Sequence, residues 1–130
     1  MQVFASGFAL LLAALQGETY VADGATLVIG NTPVQLEGID VPSARTPDGA
    51  LARAEMQAIV AGKIVTCRTE GARGGAPQLA VCQAGGADIA AELVSRGYAL
   101  DCSEAPGRYR ALEPQGARER LAASVSCADR

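Results

Sequence analysis

The chain has 130 residues, a net charge of −3 and no histidine. That length fits one domain, and the missing imidazole excludes His-ligated zinc and Ser-His or Cys-His nucleophile pairs. About half of the residues are apolar but aromatics are few and Trp is absent, so a single core must be built from Ala, Val, Leu and Ile.

Val3 to Leu15 is mostly apolar (Phe4, Phe8, Leu10, Leu11, Leu12, Leu15). It is too short to span a bilayer comfortably. It reads as a signal-peptide core with small or neutral residues from Ala13 to Gly17 near a cleavage point, although no positive charge precedes it. The rival reading is a buried N-terminal helix. Residues 1–16 are set apart as an apolar leader and residues 17–130 as the domain, with export to the periplasm or the exterior as the expectation.

Gly17 to Ala22 reads as a strand, Asp23-Gly24 as a hairpin turn and Thr26 to Ile29 as the next strand. Gly30-Asn31-Thr32-Pro33 is a second turn, and Val34 to Ile39 continues the meander. Pro42, Pro47 and Gly49 mark a loop. Leu51 to Val60 has helical spacing, with Leu51, Ala54 and Ala58 as its stripe, widened by Met56, Ile59 and Val60; Asp48 is the expected N-cap and Gly62 the stop. Lys63 to Thr69 and Leu79 to Gln83 are strands around a glycine-rich loop. Ala87 to Arg96 reads as a helix that Gly97 ends. Arg108 to Ala123 is a third helical stretch that Pro114 breaks, so the firm helix is expected from Pro114 onward. The order predicts an α+β chain: a five-stranded Greek-key barrel of the oligonucleotide/oligosaccharide-binding type with about three helices.

Four cysteines, Cys67, Cys82, Cys102 and Cys127, include no Cys-x-x-Cys pair. An even count in a small exported domain favours disulfides, and four cysteines allow three pairings. A symmetric hairpin of the Lys63 and Leu79 strands places Cys67 opposite Cys82. That leaves Cys102 for Cys127. Four reduced thiols in a cytoplasmic protein are the alternative.

The stretch Asp23-Gly24-Ala25-Thr26, followed by Leu36-Glu37-Gly38-Ile39-Asp40-Val41-Pro42, resembles the signature of the staphylococcal nuclease (thermonuclease) family. The family reads Asp-Gly-Asp-Thr, then Arg-Leu-x-Gly-Ile-Asp-x-Pro-Glu. The resemblance runs from about Gly17 to Ala123, with looser matches at Ala52 to Cys67, Gln78 to Cys82, Leu93 to Ala99, and Tyr109 with Glu113. Family members cleave phosphodiesters with one Ca²⁺, held by two aspartates and a backbone carbonyl; a glutamate activates water and two arginines stabilise the charge that develops on phosphate.

Carried over residue by residue, the resemblance implies a degenerate member. Asp40 matches a metal-binding aspartate and Asp23 the aspartate that stands near the metal without touching it. Val41 offers a carbonyl. Ala25 stands where the other ligand belongs, Gln35 and Pro77 where the arginines belong, and Ser43 where the glutamate belongs. Arg73 lies four residues before Pro77, in the glycine-rich loop, and is the weak candidate for reaching the site in its place. One donor to the developing charge is worth about 10²–10³ in rate, so no useful catalysis, and no cofactor other than Ca²⁺ for any residual activity, is expected.

The arginines are dispersed, with a mild cluster at Arg108, Arg110, Arg118 and Arg120, and make no basic stripe for nucleic acid. A monomeric, exported binding or structural module is the expected function, with a weak Ca²⁺-dependent phosphodiesterase as the alternative. The survivors also have a purely structural reading: Asp23-Gly24 makes a turn, and Asp40 caps the chain before Val41-Pro42.

Overall fold

A computed structural model of the chain describes residues 14–69 and 76–127. It is α+β. A mixed sheet is formed by β1 (Ala14–Gln16), β2 (Thr19–Asp23), β3 (Thr26–Ile29), β4 (Thr32–Leu36), β6 (Val65–Thr69), β7 (Gln78–Ala84) and the short β8 (Ala87–Asp88). A second, two-stranded sheet pairs β5 (Ile39–Asp40) with β9 (Leu100–Asp101). The helices are α1 (Pro47–Val60), α2 (Ile89–Ser95) and α3 (Ala117–Leu121), with a 3₁₀ turn at Arg110–Leu112.

The large sheet runs β1-β6-β7-β4-β3-β2. Every pairing along it is antiparallel except β4 with β7, which is parallel. β1 and β2 stand at its two ends, yet only Gly17 and Glu18 separate them in the chain. Period-2 alternation turns Leu27, Ile29, Val34, Leu36, Val65 and Cys67 inward, onto Met56, Ile89 and Leu93 from the helices.

Ala14–Gln16, counted with the leader in the sequence, is an edge strand on β6. The rest of the leader lies outside the described residues, as does Arg73. α1 begins at Pro47, four residues ahead of the expected Leu51, and its cap is Thr46, whose Oγ1 accepts from Gly49 N–H at 3.0 Å. Pro47 takes the first helical position, where a missing N–H costs nothing. Met56, Ile59 and Val60 of the expected stripe do face the core, but Leu51, Ala54 and Ala58 are exposed and Gly49 and Ala52 take the inward side instead. Gly49, Ala52, Met56 and Ile59 are buried, whereas Leu51 is 54 % exposed. Small residues decide this, because Ala52 must meet the Asp23-Gly24 turn: a Cβ on Gly24 would stand 2.7 Å from the Ala52 Cβ.

α2 is capped by Asp88, whose Oδ1 accepts from Ala91 N–H at 3.2 Å, and Gly97 turns the chain away with φ of +85°. The third stretch is broken as Pro114 requires: a 3₁₀ turn before it, and helix only from Ala117, after Gly116 at φ +85°.

Both expected disulfides are formed. Cys67 and Cys82 are directly opposed in the β6–β7 hairpin with Cα atoms 4.0 Å apart, and Cys102 is bonded to Cys127. Closing a loop of 15 residues is worth about 3 kcal/mol in the chain-entropy model. The Cys67→Ala/Cys82→Ala variant should lose about that much in urea unfolding, with an unchanged fold by circular dichroism. A loss under about 1 kcal/mol would show that the hairpin register does not depend on the bridge.

Candidate functional site

A polar cleft opens on the outer face of β2, β3 and β4. Regular alternation would put Asp23 on the same inward face as Val21. A register shift between these two residues prevents it: Val21 pairs with Leu27 but Asp23 pairs with Thr26. Thr26 in turn pairs with Gln35. Asp23, Thr26 and Gln35 therefore form a cross-strand row on the outward side, a usual consequence of a bulge beside a site. β5 adds Asp40, since Ile39 is its buried residue. The loop to α1 adds Val41, Pro42 and Ser43. These residues, with Ala25, line a cleft of about 410 Å³.

Asp23, Ala25, Gln35, Asp40 and Ser43, singled out from one sequence motif, line one cleft. Pro77 does not line the cleft; it precedes β7, where Gln78 lies beside Val34. Two residues that sequence reasoning missed do line it, Ser124 and Ser126 of the C-terminal segment. Their only sequence signal is their closeness to Cys127, which ties that segment to Cys102.

Both carboxylates bond to their own backbone. Asp23 Oδ1 accepts from Ala25 N–H at 2.8 Å and Asp40 Oδ1 from Val41 N–H at 2.9 Å. These are turn bonds of the kind Asp makes. A Ca²⁺ ion takes six to eight oxygen ligands, several of them charged. The donor set here is short of that: Ala25 presents a buried methyl group, 2 % exposed, and no group of three or more His, Cys, Asp or Glu suited to a metal occurs among the described residues. The residues do not fit Ca²⁺, and no chemical step runs through it. The lining otherwise consists of hydroxyls, one amide and small apolar groups, without a cation.

The cleft is held from behind by an ion-paired network. β9 pairs with β5, setting Ile39 against Asp101 and Asp40 against Leu100. Glu113 fixes β9 in turn. Its Oε2 accepts from Asp101 N–H at 2.9 Å, and Arg118 donates to both carboxylate oxygens, at 2.9 and 2.5 Å, and to the Asp101 carbonyl at 3.1 Å. Burial pushes the Glu113 carboxyl up, but Arg118, the Asp101 N–H and Arg110 outweigh it and hold it below the ordinary glutamate value. Asp101 is itself buried and accepts from Ser103 Oγ and Tyr109 N–H. Tyr109 donates its hydroxyl to Asp88 at 2.8 Å; burial, then this bond, raises the phenol, and the Arg108 guanidinium opposes them.

The arginine cluster is engaged inside the chain. Arg108 bonds Glu37, Arg110 and Arg118 face Glu113, and Arg120 bonds the Gly97 carbonyl. No protein-family model matches the chain, and no curated protein matches it at a significant level.

Proposed function

We propose that the protein is an exported, nuclease-like barrel whose catalytic groups are lost and which acts as a binding or structural module. The observation that carries this reading is the meeting of Ala25, Gln35 and Ser43 with Asp23 and Asp40 in one cleft. Residues of one short motif, carried on neighbouring strands, line one cleft, and three of them hold neutral groups where hydrolysis of a phosphodiester needs charged ones. A carboxamide donates a hydrogen bond but cannot balance a charge, and a serine hydroxyl is far too weak a base to activate water.

Strand order supports the barrel. With β1 and β2 taken as the two halves of one bent strand, the circuit has five strands and its ends are joined through Gly17 and Glu18. Three residue steps from Gln16 to Thr19 span at most about 11 Å, so the end of β1 and the start of β2 lie within that distance of each other. Two disulfides are compatible with an oxidising compartment. Nucleic acid is a poor fit as partner, because two carboxylates line the cleft and the clustered arginines already bond within the chain.

The purified protein should cleave neither single-stranded nor duplex DNA above background with Ca²⁺ present. Low-millimolar Ca²⁺ should leave its melting temperature unmoved, since a ligand stabilises only as RT ln(1 + [L]/Kd). Cleavage that a chelator stops and that Asp40→Asn abolishes would overturn the reading in favour of a weak phosphodiesterase.

A further inference from the structure

We propose that the Asp23–Asp40 cleft and the apolar row beside it, Tyr20, Val28 and Pro33, form one binding site for a neutral oligosaccharide. This site deepens the reading of the protein as a binding module and rests on it.

Three observations lead there. The first is continuity. The next outward residue of β3 after Thr26 is Val28, about 7 Å along the strand. Val28 pairs with Tyr20 on one side and with Pro33 on the other. A second cross-strand row, wholly apolar, thus adjoins the Asp23–Thr26–Gln35 row on the same face. Tyr20 is 61 % exposed, and no other aromatic among the described residues is: Tyr98 is half-buried and Tyr109 is buried.

The second is unspent hydrogen-bonding capacity. The Thr26 hydroxyl and the Gln35 carboxamide are half-buried, yet neither side chain bonds to any other group among the described residues. Asp23 commits Oδ1 to Ala25 N–H at 2.8 Å and its other oxygen to nothing there. A carboxylate only accepts, whereas a carboxamide and a hydroxyl both donate and accept. Polar groups drawn partly out of water gain from a partner that matches them.

The third is what the lining turns away. Two carboxylates and no cation line the cleft, so a phosphate, a sulfate or a uronate meets like charge. An ammonium ligand suits the carboxylates, but it only donates and leaves the Gln35 amide N–H groups without an acceptor. Vicinal hydroxyls do both. They donate to Asp23 and to the Gln35 carbonyl, and they accept from the Gln35 N–H and the Thr26 hydroxyl. The apolar C–H face of a pyranose ring carries slightly positive hydrogens, which suit the negative face of the Tyr20 ring. A chain of two or more sugar rings meets both rows, whereas a single ring meets only one.

Titration with cellotetraose, maltotetraose and N-acetylchitotetraose, followed by amide resonances, tests the site. At least one of them should move the amides of Tyr20, Asp23, Thr26 and Gln35 and leave those of β6 and α2 in place. For that sugar, Tyr20→Ala and Gln35→Leu should each weaken binding about tenfold, through loss of the stacked ring and of the amide hydrogen bonds. Tyr20→Phe, which keeps the ring, should change it less than about twofold. Both positions face outward, and circular dichroism checks that each variant keeps the fold. Silence of all three sugars at low-millimolar concentration would overturn the proposal. So would an unchanged affinity in Tyr20→Ala, or tighter binding of tetragalacturonate or of spermine than of any neutral sugar. Cleavage of DNA by the same preparation would overturn the loss of catalysis whatever the sugars do. A silent titration in a protein that cleaves no DNA overturns the saccharide site alone.

Discussion

Glu113→Ala should cost about 3 kcal/mol, a drop of roughly 10 °C in melting temperature for a domain of this size. The Glu113 side chain is 6 % exposed and its Arg118 partner 32 %. Breaking a buried pair by removing one member costs about 3–5 kcal/mol because the other charge is left unpaired. The low end applies here, since Arg118 retains contact with water. The Asp101 N–H, in a buried residue, loses its acceptor as well. The damage should reach the cleft, because β9 is what pairs β5 and so places Asp40.

The same group sets an acid limb. A carboxyl whose folded value lies below its unfolded one contributes stability that is complete above the unfolded value and is lost as pH falls through the folded value. Glu113 is held below the ordinary glutamate range, chiefly by Arg118 against the opposing effect of burial. Its contribution is therefore present at neutral pH and disappears below about pH 4.3. Glu113→Gln keeps the shape but cannot ionise, so its stability curve should run nearly flat where the native curve falls. Urea unfolding at a series of pH values measures both. An acid limb as steep in Glu113→Gln as in the native chain would assign the loss to other carboxylates.

Local patterns made much of the sheet legible in advance. The β6–β7 register and the Cys67–Cys82 bridge follow from two short strands about one loop, because a period of two leaves few ways to oppose two cysteines. The Asp23, Gln35 and Asp40 positions were legible because they sit in a short motif, and three neighbouring strands bring them together. What stayed hidden is non-local or carried by small residues. No pattern in β4 or β7 announces their parallel pairing, and two-residue strands such as β5 and β9 have no periodicity to read. Met56 and Ile59 of α1 were legible as buried, but the start of its buried face rests on Gly49 and Ala52, residues that hydrophobic spacing passes over in favour of Leu51, Ala54 and Ala58. Ser124 and Ser126 line the cleft from a segment that a disulfide ties to Cys102, a non-local link with no periodicity to read.

Gly49→Ala should therefore be costly for a single methyl group. Gly49 sits in the first turn of α1 against the chain that leaves the cleft, and an added Cβ would lie 1.8 Å from the Ser43 carbonyl oxygen and 2.8 Å from that of Pro42. Neither atom is a side-chain tip that can rotate away. The Ser43 carbonyl accepts from Thr46 N–H at 2.9 Å and from Thr46 Oγ1 at 2.7 Å, and Thr46 is the residue that caps α1. Moving the loop aside would break both bonds and loosen the cap, itself worth about 1 kcal/mol. Overpacking that forces a backbone shift costs about 1–3 kcal/mol. Against these stands only the gain from replacing Gly by Ala in a helix, about 1 kcal/mol. A net loss of about 1–3 kcal/mol in urea unfolding is expected. The readout that separates this from ordinary core damage is local: amide exchange at Ser43, Arg45 and Thr46 should rise well before that of β6 and β7. If Gly49→Ala proves neutral or stabilising, the loop from Pro42 to Thr46 does not lie against the helix, and the wall of the cleft that carries Ser43 is misplaced.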